Sequence, residues 1–107
     1  TQGTGVKKDV RQAFTWYSKS AKQGNALAQF NLAGAYQAGE GVPAQPELAF
    51  AWYNAAVNNS RDERLKRTAE NMKLRMYAEA SRQGKALKAR QLAEQLLVNN
   101  ATSWSAE

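Results

Sequence analysis

Set against itself at an offset of 36 residues, the chain repeats. GTGV at residues 3–6 falls on GEGV at 39–42, and AFTWYSKSA at 13–21 falls on AFAWYNAAV at 49–57. The identities include Gly3/Gly39, Gly5/Gly41, Val6/Val42, Ala13/Ala49, Phe14/Phe50, Trp16/Trp52 and Tyr17/Tyr53. Trp and Tyr are rare residues, so a Trp-Tyr pair recurring in phase marks a true repeat. A period of this length is one supersecondary unit that cannot bury its apolar face alone and must stack on its neighbours.

Glycines divide the period into two helical stretches. The first runs over about 9–23 and ends at Gly24; the second runs over about 25–38 and ends at Gly39. A glycine just past a helix supplies the left-handed residue that lets the last carbonyls be satisfied. Asp9 is expected in the first turn of its helix, where negative charge suits the dipole. Pro46 suits a first helical position, where its missing N–H costs nothing. The unit is therefore an αα-hairpin. Ala13, Trp16, Tyr17 and Ala21 share one side of the first helix, and Ala28, Leu32, Ala35 and Tyr36 share one side of the second. Small residues alternating with large ones let helices approach closely while aromatics fill the space between. The repeat predicts equivalent surroundings for Trp16 and Trp52.

Composition removes several function classes. The 107 residues are 43% hydrophobic and 22% charged, which is globular rather than disordered. There is no cysteine and no histidine, so thiolate sites, the commonest metal ligand and the commonest general acid/base are all missing. Ser18 and Lys22 lie one turn apart, a weak echo of a Ser-Lys pair, on what reads as a polar side. No enzyme activity, catalytic residue, metal or cofactor is expected. No run of about 18 apolar residues occurs, so no membrane span is expected.

The residues Ala26, Ala28, Gln29, Leu32, Tyr36, Gly39, Gly41, Val42, Ala49, Trp52, Tyr53 and Ala56, in this order and spacing, resemble the Sel-one-like repeat family, a relative of tetratricopeptide repeats. An earlier partial copy carries Gly3, Gly5, Val6, Asp9, Ala13, Trp16, Tyr17, Ala21 and Gly24. Ala33 and Ser60 stand where the family has Gly, Gln45 where it has Asp, and Leu48 where it has Lys. The resemblance implies an all-α fold, a right-handed α-α superhelix (solenoid) of stacked helical hairpins with about five helices. It implies a scaffold or adaptor that binds a protein or peptide partner, commonly in bacterial envelope or signalling complexes, periplasmic or cytoplasmic, and in some eukaryotic ones. By the family pattern the chain begins in an inter-helix loop. It therefore reads as the C-terminal piece of a longer array, with a bare N-terminal face open to self-association.

Residues 1–60 hold the repeats. Residues 61–99 read as a degenerate repeat with capping helices: one long helix over about 61–82, with Leu65, Ala69, Met72, Met76 and Ala80 in phase, and a last one over about 85–99. Residues 100–107 have no periodicity and read as a mobile tail, with Trp104 against the surface.

Two surfaces are candidates for partners. On the second helix of the hairpin, Leu27, Phe30, Asn31, Gly34 and Gln37 point away from the Ala28/Leu32/Tyr36 stripe. Two readings of this row stand: a partner groove anchored by Phe30, or packing of Leu27 and Phe30 on the neighbouring hairpin. The second surface is basic. Net charge is +6, of which residues 61–107 carry +4, and Arg61, Arg64, Arg75 and Arg82 fall along one strip. This strip reads either as a dock for an acidic protein or nucleic acid, or as a solvated face. In the solvated reading Asp62–Lys66, Glu63–Arg67 and Arg75–Glu79 pair at four-residue spacing. Nucleic acid is the less favoured partner, because the repeat core absorbs most aromatics.

Overall fold

Five helices form where apolar side chains recur at helical spacing: α1 (Gln2–Lys22), α2 (Ala26–Ala38), α3 (Pro46–Asn59), α4 (Glu63–Arg82) and α5 (Ala86–Ala106). The structure, a computed structural model, describes the backbone of residues 2–106 and the side chains of residues 11–98. No strand occurs among the described residues. The fold is the helical-hairpin solenoid that the repeat predicts.

Local chemistry sets the helix ends. Asn25 caps α2 by accepting a hydrogen bond from the backbone N–H of Ala28 at 2.8 Å, and Asp62 caps α4 by accepting one from Arg64 at 2.9 Å. Pro46 opens α3 with a nitrogen that needs no partner. Gly39 closes α2 at φ 76°, and a Cβ there would sit 3.3 Å from the backbone nitrogen of Ala44. Only glycine meets both the backbone conformation and the close approach. At the end of α4, Glu79 accepts hydrogen bonds from Arg82 and Gln83. The Arg82 bond above all holds its carboxyl below the ordinary carboxylate range.

α3 is the hub. It packs along α2, α4 and α5, whereas α1 packs chiefly on α2. Alanines carry the close approaches: Ala21, Ala33, Ala49, Ala55, Ala56 and Ala69 are fully buried. Leu32, Trp52 and Tyr53 fill the space between. Each such large side chain contributes about 1.5–3 kcal/mol on burial. A Phe–Tyr ring contact occurs in each of two seams: Phe14 meets Tyr36 edge-on at 5.6 Å, and Phe50 meets Tyr77, tilted, at 5.4 Å, although Met72, not Tyr77, stands one period after Tyr36. The α1–α2 and α3–α4 seams thus use similar ring contacts at different registers.

Two polar groups lie inside this apolar frame. Gln29, fully buried, donates its amide to the carbonyl of Ala21 at 2.9 Å and accepts from the Asn59 amide at 3.0 Å. It ties the ends of α1 and α3 to the first turn of α2. Glu47, only 2% exposed, places Oε2 3.7 Å from Lys85 Nζ just before α5, while its Oε1 is buried without a hydrogen-bond partner.

The structure departs from the sequence reading in five places. Residues 3–6, read as a loop, are part of α1, and Asp9 falls inside the helix rather than in its first turn. α5 runs on to Ala106, past residue 99 where its periodicity fades; the Trp104 side chain and Glu107 lie outside the described residues. Trp16 and Trp52 are not equivalent: Trp16 is 67% exposed and Trp52 5%. α3 is enclosed on several sides, whereas the side of α1 that carries Trp16 faces away from α2. None of the three expected four-residue ion pairs forms. Glu79 turns to Arg82, and Glu70 to Lys73 at 3.3 Å, both at three-residue spacing.

The fifth departure concerns the last helix. α4 and α5 touch over a short stretch only, because α5 lies on α3 instead. The cause is visible where the repeat breaks. α1 carries Arg11, Thr15 and Lys19 at the positions that on α3 are Glu47, Ala51 and Ala55. These three α3 residues follow at four-residue steps, so they form one stripe, headed by the Glu47 carboxylate that reaches Lys85. Ala51 and Ala55 are fully buried, as is Ala89 on α5. Small side chains on both helices let them lie close together.

Candidate interaction surfaces

The α2 row divides in the structure. Phe30, Gly34 and Gln37 fall at four- and three-residue steps and stand over one side chain of α3, Tyr53. The Phe30 ring lies 5.4 Å from the Tyr53 ring, edge to face. The Tyr53 hydroxyl donates to Gln37 Oε1 at 2.6 Å. A Cβ on Gly34 would meet that hydroxyl at 3.8 Å, an ordinary contact. All three are half-buried. Leu27 remains 58% exposed at the start of the helix. Asn31 turns toward α1, where it lines a cleft of about 140 Å³ with Phe14, Tyr17 and Glu40. The row is therefore one exposed apolar residue beside a rigid shelf built on Tyr53. Burial raises the Tyr53 hydroxyl above its ordinary 10.0, and that of Tyr36 likewise, so both stay neutral donors at physiological pH.

Arg64 and Arg75 are exposed on α4. They are eleven residues apart, so they share a strip about 16 Å long. Neither forms an ion pair among the described residues. Exposed Lys66, Arg67, Lys88 and Arg90 are also without an ion-pair partner there.

Sequence reasoning missed two surfaces. One surrounds Trp16, flanked by Arg11, Gln12, Thr15 and Lys19 in a shallow depression of about 290 Å³. The contrast of Arg11, Thr15 and Lys19 with Glu47, Ala51 and Ala55 was the available signal. The other is a cleft of about 380 Å³ between α3 and α5, lined by Phe50, Asn54, Leu87, Arg90, Gln91 and Leu97 among others. No periodicity signals it, since it exists only because α5 leaves α4. No helix among the described residues is long and apolar enough to cross a membrane.

Stacked hairpins with an alanine-lined core and half-open outer faces define a helical-repeat protein. Residues 1–25 and 26–60 match the Sel1 repeat, more than half of the chain, and the protein belongs to the Sel1 repeat family. Such repeats generally mediate protein–protein interaction. The chain is 38% identical over 52 residues, 49% of its length, to the chitin synthase regulator SKT5 of Saccharomyces cerevisiae. It is 44% identical over 61 residues, 56% of its length, to protein sel-1 homolog 2 of Homo sapiens. The chain covers 8% and 9% of these relatives, less than a tenth of either. One relative is from yeast and one is human; neither is bacterial, so the bacterial setting gains no support from them. No solved structure matches the chain.

Proposed function

We propose that the protein is a non-catalytic scaffold or adaptor that binds a protein or peptide partner through the outer face of its repeats. The observation that carries this reading is the shelf on α2. Its inner face, with Ala28, Gln29 and Leu32, is consumed by the stack. Leu27 stays exposed next to Phe30, Asn31, Gly34 and Gln37, whose positions are set by Tyr53. An exposed apolar residue beside a pre-organised aromatic shelf binds with little ordering cost. Phe30 is the anchor and Leu27 the accessible rim.

The test is affinity capture with the full-length protein, followed by identification of what is retained. Leu27→Asp and Phe30→Ala should each lower retention of the same partner while circular dichroism stays unchanged. If Phe30→Ala instead lowers helicity, Phe30 belongs to the core; if neither variant alters retention, the α2 face is not the binding face.

A second reading rests on the unpaired cations of α4 and α5, among them Arg64 and Arg75, which suit an acidic partner or nucleic acid. Exposed Trp16 supports self-association through the N-terminal repeat face. Sedimentation across a concentration series, with and without Trp16→Glu, decides that point.

A further inference from the structure

We infer that the outward side of α1 around Trp16 docks an acidic partner helix. This deepens the protein-binding reading and rests on it, but places the contact on different residues from the α2 shelf.

The repeat shows what belongs on this face. Trp16 and Trp52 stand at the same position of successive units. Trp52 is 5% exposed on α3, a helix packed by α2, α4 and α5, while Trp16 is 67% exposed on α1, which packs chiefly on α2. Where this fold covers the tryptophan position, it covers it with helices. A large aromatic left open on a helix face is also the kind of side chain that anchors an interface.

The charge of the face selects the occupant. On α3 the position of Arg11 is held by Glu47, which Lys85 answers at 3.7 Å just before α5. On α1 the sign is reversed, and Lys19 adds a second cation where α3 has Ala55. Arg11 and Lys19, with Gln12 and Thr15, line the depression of about 290 Å³ beside Trp16, and among the described residues no carboxylate lines it. Neither cation has an ion-pair partner among the described residues. They are eight residues apart, about 12 Å along α1, with Trp16 between them in the chain. A helix laid alongside matches them with two carboxylates and an apolar side chain midway, placed at four-residue steps that share one stripe. A second copy fits less well: α1 holds five basic residues and one acid, Asp9, and the chain carries +6, so another copy brings like charge. Nucleic acid also fits less well. Stacking successive bases needs several open rings, whereas Phe14 is packed on Tyr36 and Tyr17 is half-buried.

The probe is a fluorescein-labelled helical peptide of about 18 residues, with glutamate and leucine alternating at four-residue steps and alanine or glutamine elsewhere. Binding is measured by anisotropy against the 107-residue chain. Saturable binding is expected, weakened at least about tenfold by Trp16→Ala and by Arg11→Glu combined with Lys19→Glu. It should weaken with added salt and be unchanged by Leu27→Glu. Arg11, Trp16 and Lys19 are exposed, so these variants keep the fold, and circular dichroism checks it. Several results overturn the inference: no saturation, equal binding of the lysine-for-glutamate peptide, equal binding of a proline-interrupted peptide that cannot form the helix, or indifference to Trp16→Ala. Loss of binding with Leu27→Glu but not with Trp16→Ala also overturns it while supporting the α2 shelf, which separates the two readings. Tighter binding of an oligothymidine than of the peptide would assign the face to nucleic acid, and tighter binding of phosphatidylserine vesicles would assign it to a membrane surface. A dimer dissolved by Trp16→Ala would assign it to a second copy. Each of these would displace the acidic helix.

Discussion

Gln29 and Asn59 are 30 residues apart in the chain, and their side-chain amides are hydrogen-bonded at 3.0 Å. Through its other amide atom Gln29 holds the carbonyl of Ala21 at 2.9 Å, so one buried side chain joins three helices. A buried polar group that loses its partner costs about 1–3 kcal/mol. Gln29→Leu should therefore lower stability by about 2 kcal/mol, and Asn59→Ala by about 1 kcal/mol, read from urea denaturation midpoints. Equal midpoints for Gln29→Leu and the wild type would show that the brace contributes nothing net.

Tyr53→Phe removes the donor to Gln37 and should cost about 1 kcal/mol. It should also change the alkaline limb of stability. Burial raises the folded hydroxyls of Tyr36 and Tyr53 above 10.0. Below pH 10 both are neutral whether folded or unfolded, so their contribution is complete. As pH climbs past 10 the unfolded chain loses these protons first, and stability falls until the folded hydroxyls ionise too. The fall between neutral pH and pH 11 should be shallower in Tyr53→Phe, as measured by denaturation at each pH.

Lys85→Met leaves the Glu47 carboxylate buried at 2% exposure without its cation. The lysine is itself 44% exposed, so water partly replaces it and the loss should be about 1–2 kcal/mol rather than the about 3–5 kcal/mol of a fully buried pair. Glu47→Gln in the Lys85→Met background should recover part of that loss. Strict additivity in this double-mutant cycle would mean that the two groups do not interact.

Trp52→Ala should cost about 3–5 kcal/mol by opening a cavity at the hub, and Trp16→Ala should change stability by no more than about 0.5 kcal/mol. In a Trp104→Phe background, acrylamide should quench the fluorescence left in Trp52→Phe strongly and that left in Trp16→Phe weakly. Equal quenching would restore the equivalence that the repeat alone implies.

Much of this architecture was legible in the residues. The period placed the Gly24 and Gly39 breaks, the Pro46 start and the Ala28/Leu32 seam, because caps and helical phase are local and each acts within a few residues. The candidate surface was legible only in part. Leu27 is exposed on the row that helical phase selects. For Phe30, Gly34 and Gln37 phase shows which side of α2 they occupy but not that Tyr53 of α3 meets them there. The cleft at Phe50 and Leu87 was not legible, since it depends on which neighbour α5 prefers.

Sequence alone determined that this protein is a stack of helical hairpins, and that it belongs with repeats of the Sel1 kind. Periodicity and glycine placement are properties of a single segment, and they suffice to define the unit. Tertiary structure decided where the last helix goes, which of two matching tryptophans is covered, and what stands open between α3 and α5. Those outcomes turn on competition between faces. The alanine stripe behind Glu47 outbids α4 for α5, and a choice between surfaces has no counterpart in the order of residues along one strand of chain.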